Sequence, residues 1–180
     1  MYIPLPHIFK GQTFCFNHWF GWLTAQEPSG NEEFTLSTEA VKRLSPVENP
    51  FLTKQVYEPE TIVKPSKFAI FYARMLVFLC RHAYVVAHLF SYLRLGLFPN
   101  AVCAADAFRI ATKEEKQNLL CLPRSIFIAT TSRRFRSCGT MFIGVFLPSQ
   151  NMHAWVIEDN VVADRYDKYW TLYTPLLMMF

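Results

Sequence analysis

Cys121-Leu122-Pro123-Arg124-Ser125-Ile126-Phe127-Ile128, with the β-forming runs that follow it as far as Asp164, is the stretch that decides the fold. Pro123 suits a first helical turn, where the N–H it lacks would have no partner inside the helix, so a helix is predicted from about Leu122 to Phe135 with Cys121 at its head. Ser137-Cys138-Gly139 ends it. Thr140 to Leu147, His153 to Glu158 and Asn160 to Asp164 then read as strands, separated by Pro148-Ser149-Gln150-Asn151 and by Asp159-Asn160. They form an antiparallel meander.

Working outward, Ala101 to Ala111 reads as a short helix, and Ser66 caps a long one whose Lys67, Arg74, Arg81 and His88 recur every seven residues on one face. Phe71, Met75, Phe78, Leu79, Val86 and Phe90 cover most of the rest, which predicts heavy burial, and Gly96 followed by Pro99 supplies the stop. Arg74, Arg81, His82, His88 and Arg94 interrupt the apolar region Phe68 to Phe98 too often for a membrane span, so no membrane insertion is expected. Tyr57 to Pro65 reads as a linker. Before it, Gly11 to Ala25 is one bent strand or a hairpin, Pro28-Ser29-Gly30-Asn31 a turn, and Ser37 or Thr38 the cap of a short helix through Leu44 that Pro46 stops. The fold class is therefore α+β. A small peptide-binding module over residues 1–60 precedes a domain of helices plus antiparallel sheet over residues 61–180.

At 180 residues and 52% hydrophobic content the chain can bury a real core. The net charge of +4 hides an asymmetry: residues 1–60 hold 4 basic and 7 acidic side chains, and residues 61–180 hold 14 and 7. Arg133, Arg134 and Arg136 are the only tight basic cluster, and no nucleic-acid motif accompanies them, so nucleic acid is not an expected partner. Five cysteines without CxxC spacing suggest neither a disulfide frame nor a zinc site. With no secretory pattern in Met1 to Lys10, a reducing cytoplasm is the expected compartment.

The chemistry lies in three residues. A thiol at a helix N-terminus has its anion stabilised by unpaired N–H groups and the helix dipole, which is the position predicted for Cys121. His153 opens a strand with Trp155 two residues on, so imidazole and indole share a strand face. Asp164 closes the next strand, where antiparallel pairing can bring it beside the start of the previous one to hold the ring by its second nitrogen. It is preferred to Asp159, in the turn, and to Asp167, beyond the strand's end. Cys138 competes as nucleophile, but it ends a helix, where the dipole disfavours a thiolate.

Cys121-Leu122-Pro123-Arg124-Ser125, Ile143-Gly144-Val145, His153-Ala154-Trp155-Val156 and Val161-Val162-Ala163-Asp164 together resemble the C-terminal domain of the lasso-peptide B proteins. These are transglutaminase-like, papain-related cysteine peptidases that remove the leader from a ribosomally made precursor before a partner cyclase closes the ring. The resemblance implies Cys121 as nucleophile, His153 as general base and acid, and Asp164 as orienter. It departs from the family pattern at Ile157, where an acidic residue is usual, with Glu158 one place later, and at Ala163, where an Asn often precedes the Asp. It further implies that residues 1–60 are similar to a RiPP recognition element, which takes the leader as an added strand. The implied partners are the precursor's leader region and an asparagine-synthetase-like cyclase. No P-loop is present and no cofactor is implied for this chain, so ATP is expected at the cyclase.

Overall fold

Ser66 starts the first helix as predicted, its Oγ accepting the Ala69 N–H at 3.2 Å. The computed structural model describes residues 2–4, 7–9, 12–17, 22–26, 63–113, 120–146, 151–159, 161–167, 170 and 173–179. The helix α1, Lys67–His82, is followed after a break at Ala83 by α2, Tyr84–Phe90. The single rod expected as far as Gly96 is thus two helices. Ala83 leaves helical geometry at φ −149°, and no Gly or Pro at the break announces it.

The expected heavy burial of this pair is also corrected. Ala69, Tyr72, Ala73 and Leu76 face the core, whereas Phe71 is 65% and Phe78 61% exposed, and Val86 is exposed with them. Small side chains on the inner face allow close helix approach, and the large apolar ones point away.

The helix α3, Ala101–Thr112, begins at Asn100, whose Oδ1 accepts the Cys103 N–H at 2.8 Å. The helix α4, Cys121–Thr131, has Cys121 as its first residue and Pro123 in its first turn, and it packs against α1, α3 and the sheet. It ends short of Phe135 because Ser132 turns into extended backbone and donates its hydroxyl to Glu158 Oε2 at 2.6 Å. A separate turn of helix, α5, Phe135–Cys138, follows. Gly96, in left-handed geometry at φ +56°, does not stop a helix but sets the 95–98 segment against the end of α4. There the N–H groups of Leu95 and Phe98 donate to the carbonyls of Thr130 and Thr131 at 2.8 and 2.9 Å, satisfying acceptors that the helix leaves open.

The predicted meander is present as β5, Gly139–Phe146, β6, Asn151–Glu158, and β7, Val161–Val162, all antiparallel. The third strand is only two residues long, since the chain turns away after it. Gly139 is required at the entry to β5, because a Cβ there would lie 2.4 Å from the Phe135 ring and 2.7 Å from its backbone. A strand not predicted, β8, Thr174–Met179, lies on the other side of β5 and pairs in turn with β1, Tyr2–Pro4. The sheet order is β1-β8-β5-β6-β7, so β1 reaches across the division expected after residue 60. A second, three-stranded antiparallel sheet holds β2, His7–Phe9, β3, Gln12–Asn17, and β4, Trp22–Gln26, with β3 and β4 supplying the expected pair of short strands. The predicted turn at residues 28–31, the helix through Leu44 and the linker up to residue 62 lie outside the described residues.

Helices with an antiparallel sheet make this an α+β fold. Alternate residues of β5 and β6 enter two cores. Met141, Ile143, Ala154 and Val156 join the helices, while Phe142, Trp155 and Ile157 join Val162 and Trp170 in an aromatic cluster on the other face. Glu158 bridges the start of α3 and the end of α4. Its Oε1 accepts the Ala101 N–H at 2.7 Å while Oε2 takes the Ser132 hydroxyl. A carboxylate at a helix N-terminus is favoured by the dipole there.

Candidate functional site: a thiol, an imidazole and two carboxylates

Cys121 occupies the first position of α4, ahead of the first intrahelical hydrogen bond, from the Arg124 N–H to the Leu120 carbonyl at 3.0 Å. Packing of α4 on β6 brings its thiol to His153, the third residue of that strand. Both lie where β7 no longer covers the edge of β6, since β7 pairs only with Ile157 and Glu158. The open edge leaves the Ala154 backbone N–H to hydrogen-bond the Cys121 sulfur.

The electrostatics favour an ion pair. Burial pushes the Cys121 thiol up, but the hydrogen bond and charge of His153, the Ala154 N–H and the Arg124 guanidinium together bring it below the ordinary thiol value. Burial likewise opposes a charge on His153, yet its hydrogen bonds to Asp167 and Cys121 carry the imidazole up to about 9. Both shifts act in the direction of a thiolate facing an imidazolium. Cys80 on α1 also feels this sulfur: burial and the Cys121 charge push its thiol up to about 12, so it stays protonated.

The carboxylate that holds His153 is that of Asp167, with Oδ2 2.5 Å from Nε2, and both groups are buried. Nε2 being taken, Nδ1 is the nitrogen left to face Cys121. Asp164, expected in this role, is elsewhere. Its Oδ2 receives Arg109 Nη2 at 2.6 Å and Arg124 Nη2 at 2.9 Å, and its Oδ1 receives Arg109 Nε at 3.2 Å and the Tyr166 N–H at 3.0 Å. With the Asp167 N–H donating to its carbonyl at 3.0 Å, Asp164 opens the turn that returns Asp167 to the imidazole.

The strand register contains the signal that finds Asp167. Ile157 lies across from Val162 and Glu158 from Val161. Continuing that antiparallel count puts residue 166 across from His153, one place from Asp167, whereas Asp164 falls across from Trp155. Asp159, the other competitor, sits in the turn at φ +51° and pairs with Arg134 at the surface. Cys138 ends α5, donates to the Arg134 carbonyl at 3.3 Å, and is pushed up by burial and by Asp159.

Trp155 shares the strand face of His153 as predicted, its ring 6.0 Å away at 16°. Tyr173, which no sequence motif marks, covers the imidazole from the other segment at 4.8 Å between ring centres. Among the described residues no group of three or more His, Cys, Asp or Glu side chains is placed to hold a metal ion. No helix among them is long and apolar enough to cross a membrane.

A thiol at a helix head, paired with an imidazole steadied by a buried carboxylate, has the parts for acyl transfer through a thioester. Consistent with that class, residues 99–178 match the model of the transglutaminase-like superfamily. The superfamily includes cysteine peptidases and acyltransferases, and cysteine-based catalysis is common in it. No curated protein and no solved structure matches the chain.

Proposed function

We propose that this chain is a cysteine peptidase that cuts the leader from a lasso-peptide precursor, preparing the core peptide for macrolactam closure by a partner cyclase. The observation that carries the chemistry is the hydrogen-bonded series Cys121, His153, Asp167 at the start of α4. The substrate rests on the resemblance of Cys121-Leu122-Pro123-Arg124-Ser125 and His153-Ala154-Trp155-Val156 to the lasso-peptide B proteins.

In this mechanism the Cys121 thiolate attacks the carbonyl carbon at the leader junction, and amides of the first turn of α4 hold the oxyanion. The His153 imidazolium, kept in orientation by Asp167, gives its proton to the departing amine of the core peptide. The neutral imidazole then takes a proton from water. Hydroxide adds to the thioester carbonyl, the carbon–sulfur bond breaks, and the leader leaves with a free carboxylate. Residues 1–60 bind the leader, with a sheet edge offering backbone hydrogen bonds to it as an added strand. The site and its reaction belong to a reducing cytoplasm, beside an asparagine-synthetase-like cyclase that holds the ATP chemistry.

The test uses the full chain and a lasso-peptide precursor with its leader, with products read by mass. Cys121→Ala and His153→Ala should bind the peptide and leave it whole, and Cys138→Ala should cut at the normal rate. Cleavage retained by either of the first two defeats the assigned roles. A product joined to an added amine, with little hydrolysis, identifies an acyltransferase on the same fold. A Cys121 unreactive toward iodoacetamide at mildly acidic pH identifies a precursor-binding chaperone instead.

A further inference from the structure

Arg124 stands three residues after Cys121 in α4, on the same side of the helix, and is only 2% exposed. A guanidinium keeps its charge at every relevant pH, and burying it is costly without a fixed partner. That partner is Asp164, at 2.9 Å. Asp164 is immobilised by its two bonds to Arg109 on α3 and by the Tyr166 amide, so Arg124 is anchored to a carboxylate that is itself anchored. The residue expected to orient His153 instead holds an arginine.

We propose that Arg124 is a positioning residue for Cys121: clamped by Asp164, its guanidinium keeps a permanent positive charge beside the sulfur on the helix that carries it. Among the described residues, the groups that bear electrostatically on this sulfur are His153 on β6 with Asp167 behind it, Tyr173 ahead of β8, Cys80 on α1 and Arg124. Two of them are cations, and they differ in kind. His153 gives its proton away once per turnover, whereas Arg124 cannot. While the imidazole is neutral, between protonation of the leaving amine and deprotonation of water, Arg124 keeps a positive charge near the sulfur, and when the carbon–sulfur bond breaks it and the re-formed imidazolium both stabilise the departing thiolate. The inference rests on Cys121 being the nucleophile of the proposed reaction.

The experiment is the iodoacetamide alkylation rate of Cys121 against pH in the intact chain, for wild type, Arg124→Gln and Arg124→Lys, with folding checked by thermal melting. Arg124→Gln should move the thiolate midpoint upward by about one unit, which at mildly acidic pH slows alkylation by about tenfold, and Arg124→Lys should recover most of the rate. A folded Arg124→Gln with the wild-type profile overturns the inference while leaving the peptidase reading intact. A wild-type Cys121 that titrates as an ordinary thiol overturns both. If Arg124→Gln does not fold, the Arg124 Nε–H resonance of the wild-type protein, assigned through Arg124→Lys, is followed across the same pH range. Movement with the Cys121 midpoint supports the inference, and a flat resonance overturns it.

Discussion

The helices α1 and α4 read alike in sequence, both rich in apolar residues with few charges, yet they meet opposite environments. From Pro123 to Thr131 every residue of α4 is buried, enclosed by α1, α3 and β6. In α1 the buried set is Ala69, Tyr72, Ala73 and Leu76, and the phenylalanines Phe68, Phe71 and Phe78 look outward. The difference teaches that apolar size does not mark a buried face where helices pack closely. Alanines line the contact, and Ala104 and Ala107 of α3 do the same. Full enclosure also fixes the start of α4, and with it the position of the thiol.

The sharpest way to break this contrast is at the polar end of the α4 region. Asp167→Asn should lower turnover by about 10³-fold or more, because the imidazole loses the carboxylate charge that keeps it protonated and in a fixed orientation. Asp164→Asn should do the reverse in kind, lowering the thermal midpoint first, since it breaks ion pairs to the buried Arg109 and Arg124. Equal kinetic losses from the two, measured as kcat at saturating precursor, would show that the carboxylates are not divided in role.

Within the core of α4, Phe127 touches Tyr72, Phe98 and Phe108 at ring separations of 5.8, 6.0 and 5.4 Å. Phe127→Ala should cost about 3–5 kcal/mol of stability, read as a drop in denaturant midpoint at unchanged slope.

The pH response follows from the site's ion pair. Turnover should rise as pH climbs through the lowered range of Cys121 and fall as it passes about 9, where His153 loses the proton that the leaving amine needs. His153 is raised from 6.5, so its contribution to stability is complete below pH 6.5 and is lost as pH rises through about 9. Melting temperatures of wild type and His153→Ala across that window should converge at its alkaline end, and curves that stay parallel would contradict the shift.

The smallest effect belongs to the outer face of α1. Phe71→Ser should change stability by no more than about 0.5 kcal/mol, because the side chain is already in water. A loss comparable with that at Phe127, in the same denaturant assay, would erase the contrast between the helices.

Most local structure was legible because it depends on neighbours in the chain. Ser66 as a cap, Pro123 in a first turn, the β5–β6–β7 meander and the shared face of His153 and Trp155 all follow from short-range geometry. The place of Cys121 at a helix head and of His153 near a strand start is marked in the same local way. The orienting carboxylate depends on the β6–β7 pairing register and on the turn from Asp164 to Asp167, and neither is fixed by the residues of one segment. The break at Ala83, without Gly or Pro, left no local trace either.

By itself, then, the sequence determined which residues could carry a charge, start a helix or line a strand, because those properties travel with the residue and its immediate neighbours. Tertiary structure alone decided that β8 lies between β5 and β1, that Arg109 and Arg124 meet on one carboxylate, and that α1 turns its phenylalanines outward. Each of these joins segments far apart in the chain, where the outcome depends on which surfaces fit and on where a buried charge finds its partner.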